Sequence, residues 1–239
     1  MLEIRDAVKY FRDTTALAGV DLTISRGEVV GLFGANGAGK TTLLKAALCL
    51  TDLNTGTVTL DGAPLTEAAF EKLSYITEQG SFFPNMTAVG HGEFYSAMLP
   101  RFNGERFELL LEFFEIDAKQ KARTLSRGQR AKLEIAIGMS RGADFILMDE
   151  PFLGKDIFTR SDFLKLMIAM LEPHETVLIA THQLEEIEMF ISRAIVLKRG
   201  KIVADGQMDD VLEEHGSLAG FIRQASGYDE SRVMKLLGE

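Results

Sequence analysis

The sequence predicts an α/β fold with a mostly parallel sheet, and three observations support this expectation. A short apolar run, Val29 to Phe33, is followed at once by a glycine-rich loop and a helical pattern. Two later apolar runs end in the polar dipeptides Asp149-Glu150 and Thr181-His182, as strands do at the ligand-binding edge of an open α/β sheet. Before the run that ends at Asp149, the periodicity is helical from Thr87 to about Arg141, which indicates an inserted helical subdomain.

Composition narrows the class of protein further. A chain of 239 residues is long enough for one large domain with a sizeable core. Its 35 acidic and 26 basic residues give a net charge of −9, which argues against nucleic acid as a partner. The single cysteine, Cys49, fits a reducing compartment, and its position predicts a buried apolar role rather than a reactive thiol. The acidic start M-L-E-I-R-D and the absence of any run of about 18 apolar residues predict a cytoplasmic chain.

The first 32 residues predict strands and turns. Residues 2–8 and 20–25 alternate between apolar and polar side chains, as half-buried strands do. The segment K-Y-F-R-D between them contains Tyr10 and Phe11, whose rings could stack on a nucleobase or could simply cover a sheet edge. These two alternatives remain open at this point. Residues 57–62 and 73–76 predict two more short strands.

The loop after the apolar run at Val29 contains every fixed position of the motif G-x-x-x-x-G-K-[ST]. Its glycines let successive N–H groups point at one anion, Lys40 supplies charge for the β- and γ-phosphates, and Thr41 supplies a hydroxyl for Mg²⁺. The next helix directs its positive end at the same phosphates. The motif predicts a nucleoside triphosphate site, formed by Gly34, Asn36, Gly37, Ala38, Gly39, Lys40, Thr41 and Thr42.

The two polar dipeptides predict the chemistry of this site. Of the adjacent carboxylates Asp149 and Glu150, one can hold Mg²⁺ through water and the other can polarise a water for attack on the γ-phosphate. His182 ends a strand that belongs beside these carboxylates, and this context favours a functional histidine over a structural one. His91, His174 and His215 have no such context.

The segment from Phe82 to Phe114 holds seven of the 16 phenylalanines. We expect most of them in the core, although this density beside a loop-to-helix junction also suits a docking surface for an apolar partner. The remaining pattern predicts a helix at about 157–171, a hairpin from Ile195, and two short helices in a tail at about 207–239.

The pentapeptide L-S-R-G-Q, Leu125 to Gln129, lies between the phosphate loop and the carboxylates. Ser126 and Gly128 at a helix start form a second cradle for an anion. Together these motifs resemble the ATP-binding subunit of ABC transporters, whose signature is L-S-G-G-Q, and the resemblance covers nearly the whole chain. It implies a P-loop NTPase ABC-ATPase core with an N-terminal antiparallel β-subdomain and an inserted helical subdomain at about 80–141. It also implies a single ATP-binding domain over 1–239, with ATP and Mg²⁺ as its ligands.

The resemblance further implies individual roles. Phe11 takes the base-stacking position, with Tyr10 as the alternative. Asp149 looks like the magnesium-site aspartate, Glu150 like the catalytic base, and His182 like the histidine that contacts the γ-phosphate. The signature cradle closes over the phosphate held by a second ATP-binding subunit. Further nucleotide-site positions carried over from the family are Glu78, Ser126, Gly128, Gln129 and Asp156.

Three positions depart from the family pattern. Glu78 stands where the family has the glutamine of its coupling loop, and a carboxylate there adds negative charge to the Mg²⁺ site. Arg127 replaces a signature glycine, and Lys155 replaces an apolar residue before Asp156. These departures bear on the rate and cooperativity of hydrolysis and remove no fixed ligand.

The function implied by the resemblance is ATP hydrolysis that powers a separate transmembrane permease. The alternative is a soluble ABC protein, such as a component of cofactor assembly. The stretch E-Q-G-S-F-F-P-N-M-T resembles the exporter branch, and we expect the protein on the inner face of the membrane through its permease. Glu78 is the expected coupling residue, and the segment from Phe82 to Pro84 either contacts the permease or fills the core of the helical subdomain.

Overall fold

A computed structural model describes residues 1–77, 80, 82–151, 157–184 and 187–227 of the chain. The strands are β1 (Leu2–Phe11), β2 (Thr14–Ile24), β3 (Val29–Phe33), β4 (Thr55–Leu60), β5 (Ala63–Pro64), β6 (Leu73–Thr77), β7 (Phe145–Asp149), β8 (Thr176–Ala180), β9 (Arg193–Lys198) and β10 (Lys201–Gln207). The α-helices are α1 (Lys40–Ala47), α2 (Glu67–Phe70), α3 (Ala88–Met98), α4 (Gly104–Phe113), α5 (Arg127–Ser140), α6 (Ile157–Met170), α7 (Met208–His215) and α8 (Leu218–Ser226).

The central sheet has six strands in the order β10-β9-β3-β8-β7-β6. All neighbours pair in parallel except β9 and β10, which form an antiparallel hairpin. The carboxyl ends of β3, β8, β7 and β6 therefore lie side by side at one edge of the sheet. This order places the loop after Phe33, the carboxylates at Asp149 and the dipeptide at Thr181 next to one another, as the sequence predicted.

Alternate residues of the central strands face two separate apolar clusters. Ile146 and Met148 of β7 belong to the cluster that includes α4, α5 and α6. Phe145 and Leu147 belong to the cluster that includes α1 and the N-terminal strands. The central sheet is thus covered on both faces, as parallel sheets require, and the predicted α/β fold with a mostly parallel sheet is confirmed.

The second sheet is antiparallel, with the order β2-β1-β4-β5. The segment K-Y-F-R-D was expected to connect two strands, and this expectation is wrong in part. Strand β1 continues to Phe11, which pairs with Thr14, so the connection is only Arg12 and Asp13. Arg12 has a φ of 51°, the left-handed backbone that a two-residue hairpin demands.

The helices α3, α4 and α5 lie between β6 and β7 in the chain, where the helical pattern predicted them. The expectation that most of the seven phenylalanines of this region belong to the core is confirmed. Phe107 and Phe114 are buried in it. Phe82, Phe102 and Phe113 are partly buried against the core. The ring of Phe83 is 46% exposed. The Phe83 and Phe94 rings pack edge-on against each other.

A buried ion pair joins the helical region to the central sheet. Arg106 of α4 donates two hydrogen bonds to the carboxylate of Glu175, which directly precedes β8, at 2.8 and 2.9 Å. A further Arg106 hydrogen bond, of 2.9 Å, goes to the Met139 carbonyl at the end of α5. Both charged side chains are at most 5% exposed. The pair fixes α4 against the sheet through charge as well as packing.

Cys49 is exposed, so the expectation of a buried apolar role is wrong. Helix α1 ends at Ala47, and Cys49 turns the chain with a φ of 50° instead of continuing the apolar face. Partial burial, followed by the charge of Asp52, raises the pKa of its thiol, which therefore stays protonated.

Among the described residues, no helix combines the length and apolar character needed to cross a membrane.

Candidate functional site

The loop between β3 and α1 approaches its neighbours too closely for side chains at two glycines. A Cβ on Gly34 would lie 2.3 Å from the Leu197 carbonyl oxygen, and one on Gly39 would lie 2.4 Å from the Ala16 carbonyl oxygen. Gly37 has open space around it, but its φ of 80° favours glycine. The three glycines predicted from the motif are therefore required by the backbone path of the loop.

Lys40 begins α1 and is only 7% exposed. Its Nζ donates to the Gly34 carbonyl at 2.8 Å and lies 3.7 Å from Oε1 of Glu150. The cavity in front of it has a volume of about 340 Å³, and its lining includes Thr14 and Ala16 of β2, residues of the loop, and Asp149 with Glu150. The loop and the carboxylates thus line one cavity.

Glu150 connects the lysine to the histidine. Its Oε2 lies 3.0 Å from Nδ1 of His182, which follows β8. The Glu150 backbone has a φ of 48°, an uncommon value for a residue with a side chain. Such backbone strain concentrates at functional sites, where the surrounding structure holds it in place. Here the Glu150 N–H donates to the Ala180 carbonyl at 2.8 Å, so the neighbouring strand holds this turn.

Asp149 is the last residue of β7 and is 8% exposed. Its Oδ2 accepts a hydrogen bond of 3.2 Å from the hydroxyl of Tyr75 on β6. Its Oδ1 is buried and has no hydrogen-bond partner among the residues that the structure describes. Burial, followed by the negative charge of Asp149, raises the pKa of the Tyr75 phenol. Tyr75 therefore remains a donor at neutral pH.

The buried Oδ1 of Asp149 and the nearby Thr41 suit a magnesium ion. An unpaired buried carboxylate oxygen is costly, and a cation would remove that cost. Among the described residues, no group of three or more His, Cys, Asp and Glu side chains forms a metal cage. This fits Mg²⁺, which is usually held by one or two carboxylates together with substrate phosphates. The residues present therefore fit the predicted ion.

The two candidate stacking rings, Tyr10 and Phe11, are 51% and 49% exposed. Phe11 pairs with Thr14 in the hairpin, and cross-strand partners share a face of the sheet. Since Thr14 lines the cavity, this register favours Phe11 over Tyr10, as the resemblance predicted. Lys9 lies over the Phe11 ring, with Nζ 5.0 Å from its centre.

Ser126 caps the start of α5 through a reciprocal pair of hydrogen bonds. Its hydroxyl accepts from the Gln129 N–H at 3.2 Å, and Oε1 of Gln129 accepts from the Ser126 N–H at 3.0 Å. Ser126 and Gly128 are exposed, and the lining of the phosphate-loop cavity includes neither of them nor Gln129. The structure thus forms the predicted cradle at a helix start but does not bring it to the cavity of its own chain.

Two predicted site residues, Glu78 and Asp156, lie outside the described residues, as does Lys155. Conversely, the sequence reasoning overlooked Tyr75, which the structure brings to Asp149. The sequence could have revealed this residue, because Tyr75 carries a polar hydroxyl inside a short apolar strand that ends at the predicted site. Such residues usually find a hydrogen-bond partner.

Comparison with known proteins identifies the family. A family model described as ABC transporter matches residues 17–153. The ATP-binding protein YtrB of Bacillus subtilis is 30% identical over 90% of this chain and 75% of its own length. The lipopolysaccharide export ATP-binding protein LptB of Haemophilus influenzae is 29% identical over 90% of this chain and 93% of its own length.

The fold is shared as well. The dimeric structure of MJ0796, a bacterial ABC transporter cassette, superposes with a TM-score of 0.76 at 24% identity, over 87% of this chain and 99% of that chain. The family match covers more than half of the chain and includes the phosphate loop, the signature pentapeptide and both carboxylates. The chain is therefore an ATP-binding protein of the ABC transporter family.

Proposed function

We propose that the chain hydrolyses ATP and thereby powers a separate transmembrane permease, in an export system. The observation that carries this proposal is the convergence of Lys40, Asp149, Glu150 and His182 at one edge of the sheet. Lys40 and the N–H groups of the loop bind the phosphates, and Asp149 with Thr41 would hold Mg²⁺, which neutralises phosphate charge when bound.

Glu150 is the proposed general base. Its carboxylate lies between Lys40 and His182, where it can accept a proton from a water directed at the γ-phosphate. His182 is 47% exposed, contacts Glu150, and is the proposed γ-phosphate contact. Asp149 cannot take the same role, because one of its oxygens is bound by Tyr75 and the other is buried.

A second copy or homologue of the chain is proposed to complete the site with its signature cradle. Gly128 supports this view, because a Cβ added there would meet nothing nearer than Ser126 Oγ at 4.0 Å. A glycine in a helix costs up to about 0.5–1 kcal/mol relative to alanine, and none of the described residues around Gly128 requires one. Close approach by a nucleotide on a partner subunit would explain it. The MJ0796 cassette, which shares this fold, forms a dimer, and this supports the pairing of two cassettes here.

The permease is proposed to dock on the helical region. A groove of about 580 Å³ lies between α3 and α4. Its rim carries the glutamates Glu93, Glu108 and Glu112, and its apolar lining includes Val89, Leu111 and Ile116. Cytoplasmic loops of membrane proteins carry an excess of Lys and Arg. An amphipathic basic segment of the permease therefore complements this groove, which would hold the chain at the inner face of the membrane.

Phe83 lies beside α3 and is held in place by a buried histidine. His91 Nε2 accepts a hydrogen bond of 2.9 Å from the Phe83 N–H, while its Nδ1 lies 2.7 Å from the Thr87 carbonyl. These bonds require the neutral ring with its proton on Nδ1, and burial lowers the pKa of His91 accordingly. The exposed Phe83 ring rests edge-on against Phe94, with 5.0 Å between ring centres. This preorganised aromatic group supports the predicted contact with the permease.

The test of permease docking is Phe83→Ala in the complex with a multi-span membrane protein that co-purifies with the chain. We expect the melting temperature of the isolated chain to change little, because the ring is 46% exposed. Affinity for the permease should fall about 10-fold or more, as for an aromatic interface anchor. Binding is measured with the permease in detergent or nanodiscs.

Phe70→Ala is the matched control, since that ring is also exposed, at 38%, but lies on α2. Phe82→Ala should instead destabilise the isolated chain, because Phe82 packs against the core. Permease affinity that is unchanged in Phe83→Ala, or lowered equally by Phe70→Ala, would contradict the docking assignment.

The proposal of export, rather than import, is supported by the name of the Haemophilus influenzae relative. Transport assays in vesicles measure the direction in which the substrate moves.

A further inference from the structure

The hydrogen bond between Tyr75 and Asp149 joins two neighbouring strands at the metal side of the cavity. Tyr75 is opposite Leu147 in the parallel register, and Thr77 is opposite Asp149. Tyr75, Leu147 and Asp149 therefore point to the same face of the sheet. Two residues of a parallel strand rise about 6.6 Å, a distance that the long tyrosine side chain covers to reach the carboxylate.

The two carboxylate oxygens of Asp149 differ in their hydrogen bonding. The Tyr75 hydroxyl engages Oδ2, at 3.2 Å. Oδ1 is buried, and none of the described residues forms a hydrogen bond with it. A carboxylate that is held at one oxygen cannot rotate freely, so the direction of the other is fixed before any ligand arrives. The unpaired oxygen is the one that suits a cation, as argued above.

We propose that Tyr75 is a positioning residue that orients Asp149 for Mg²⁺ bound with ATP. The ring packs against the apolar cluster beneath α1, and only its hydroxyl reaches the site. Tyr75 itself contacts neither metal nor nucleotide in this proposal. The inference rests on the proposed function, because it assigns a residue to the same metal site.

The experiment is Tyr75→Phe, which removes the hydroxyl and keeps the ring. ATP affinity is measured by calorimetry in excess EDTA and again across a Mg²⁺ titration. We expect wild-type affinity in EDTA, because the phosphate loop is unchanged. The Mg²⁺ concentration that gives half of the metal-dependent gain should rise about 10–100-fold, as for other residues that orient metal ligands.

Two control variants show whether the effect is specific to the metal site. Tyr95→Phe removes the hydroxyl of another partly buried tyrosine, whose ring packs between Phe94 and Phe102 in the helical region, and should behave as wild type. Asp149→Asn removes a charge from the metal site and should lose the metal-dependent gain more completely. A second readout is the spectrum of Mn²⁺ bound with ATP, which should change in Tyr75→Phe and stay unchanged in Tyr95→Phe.

The outcomes separate this inference from the function on which it rests. If wild-type protein gains no ATP affinity from Mg²⁺, the proposed metal site itself is wrong. If wild type gains affinity and Tyr75→Phe has the same Mg²⁺ requirement and Mn²⁺ spectrum, the positioning role is wrong. Equal loss of affinity with EDTA and with Mg²⁺ would also overturn the inference, because it would mark Tyr75 as a structural residue only.

Discussion

Replacement of Glu150 by glutamine is expected to abolish most ATP hydrolysis and to leave ATP binding intact. The amide fills the same space beside His182 and Lys40, but it cannot accept a proton from the attacking water. A general base contributes about 10²–10⁴-fold to a rate, and we expect turnover to fall by this factor. Phosphate release measures turnover, and calorimetry with non-hydrolysed ATP measures binding.

The matched control is Glu213→Gln, which removes a carboxylate from the exposed face of α7, away from the cavity. Its hydrolysis rate should equal that of wild type. Since hydrolysis is blocked in Glu150→Gln while binding persists, this variant should also accumulate as an ATP-bound dimer. Hydrolysis at the wild-type rate in Glu150→Gln would place the base elsewhere, with His182 as the next candidate.

The second large effect concerns stability. Arg106→Met should lower the free energy of unfolding by about 3–5 kcal/mol, because it leaves a buried carboxylate without its cation. The side chain of Glu175 is only 3% exposed, so its carboxylate is largely removed from bulk water. The backbone N–H of Glu172 still donates to Glu175 at 2.9 Å, which offsets only part of the loss. Urea denaturation followed by circular dichroism measures the change.

Two comparisons test the assignment to the ion pair. The double variant Arg106→Met with Glu175→Met should recover much of the lost stability, because it removes the unpaired charge as well. Arg5→Met breaks an exposed pair with Glu3 and should cost only about 0–1 kcal/mol. If Arg106→Met costs no more than Arg5→Met, the pair does not hold α4 to the sheet.

The local patterns of the sequence predicted the central sheet and the phosphate loop well. The run from Val29 to Phe33 is a buried strand, and the glycines after it occupy positions that exclude a side chain or have positive φ. Such features depend on neighbours in the chain, so spacing and residue type reveal them. The meeting of the loop and the polar dipeptides at one edge then follows, because parallel strands with helical connections place their carboxyl ends together.

Contacts between distant segments were not predicted. Arg106 and Glu175 are 69 residues apart in the chain, and Tyr75 and Asp149 are 74 apart. No local periodicity encodes which strand or helix will oppose another side chain. The exposure of Phe83 could not be predicted from the sequence either. A segment rich in aromatic residues is compatible with both a core and a docking surface until its packing is known.

In the proposed mechanism, a working ATPase site needs the phosphate loop of one chain and the signature cradle of another. Mixing Lys40→Ala with Ser126→Arg chains tests this most directly. Lys40→Ala removes the loop cation that lies 3.7 Å from Glu150, and Ser126→Arg blocks the cradle at the start of α5. Each variant alone should hydrolyse almost no ATP. A mixed dimer holds one intact composite site, so we predict that the mixture recovers hydrolysis. No recovery in mixtures that demonstrably form mixed dimers would contradict the account.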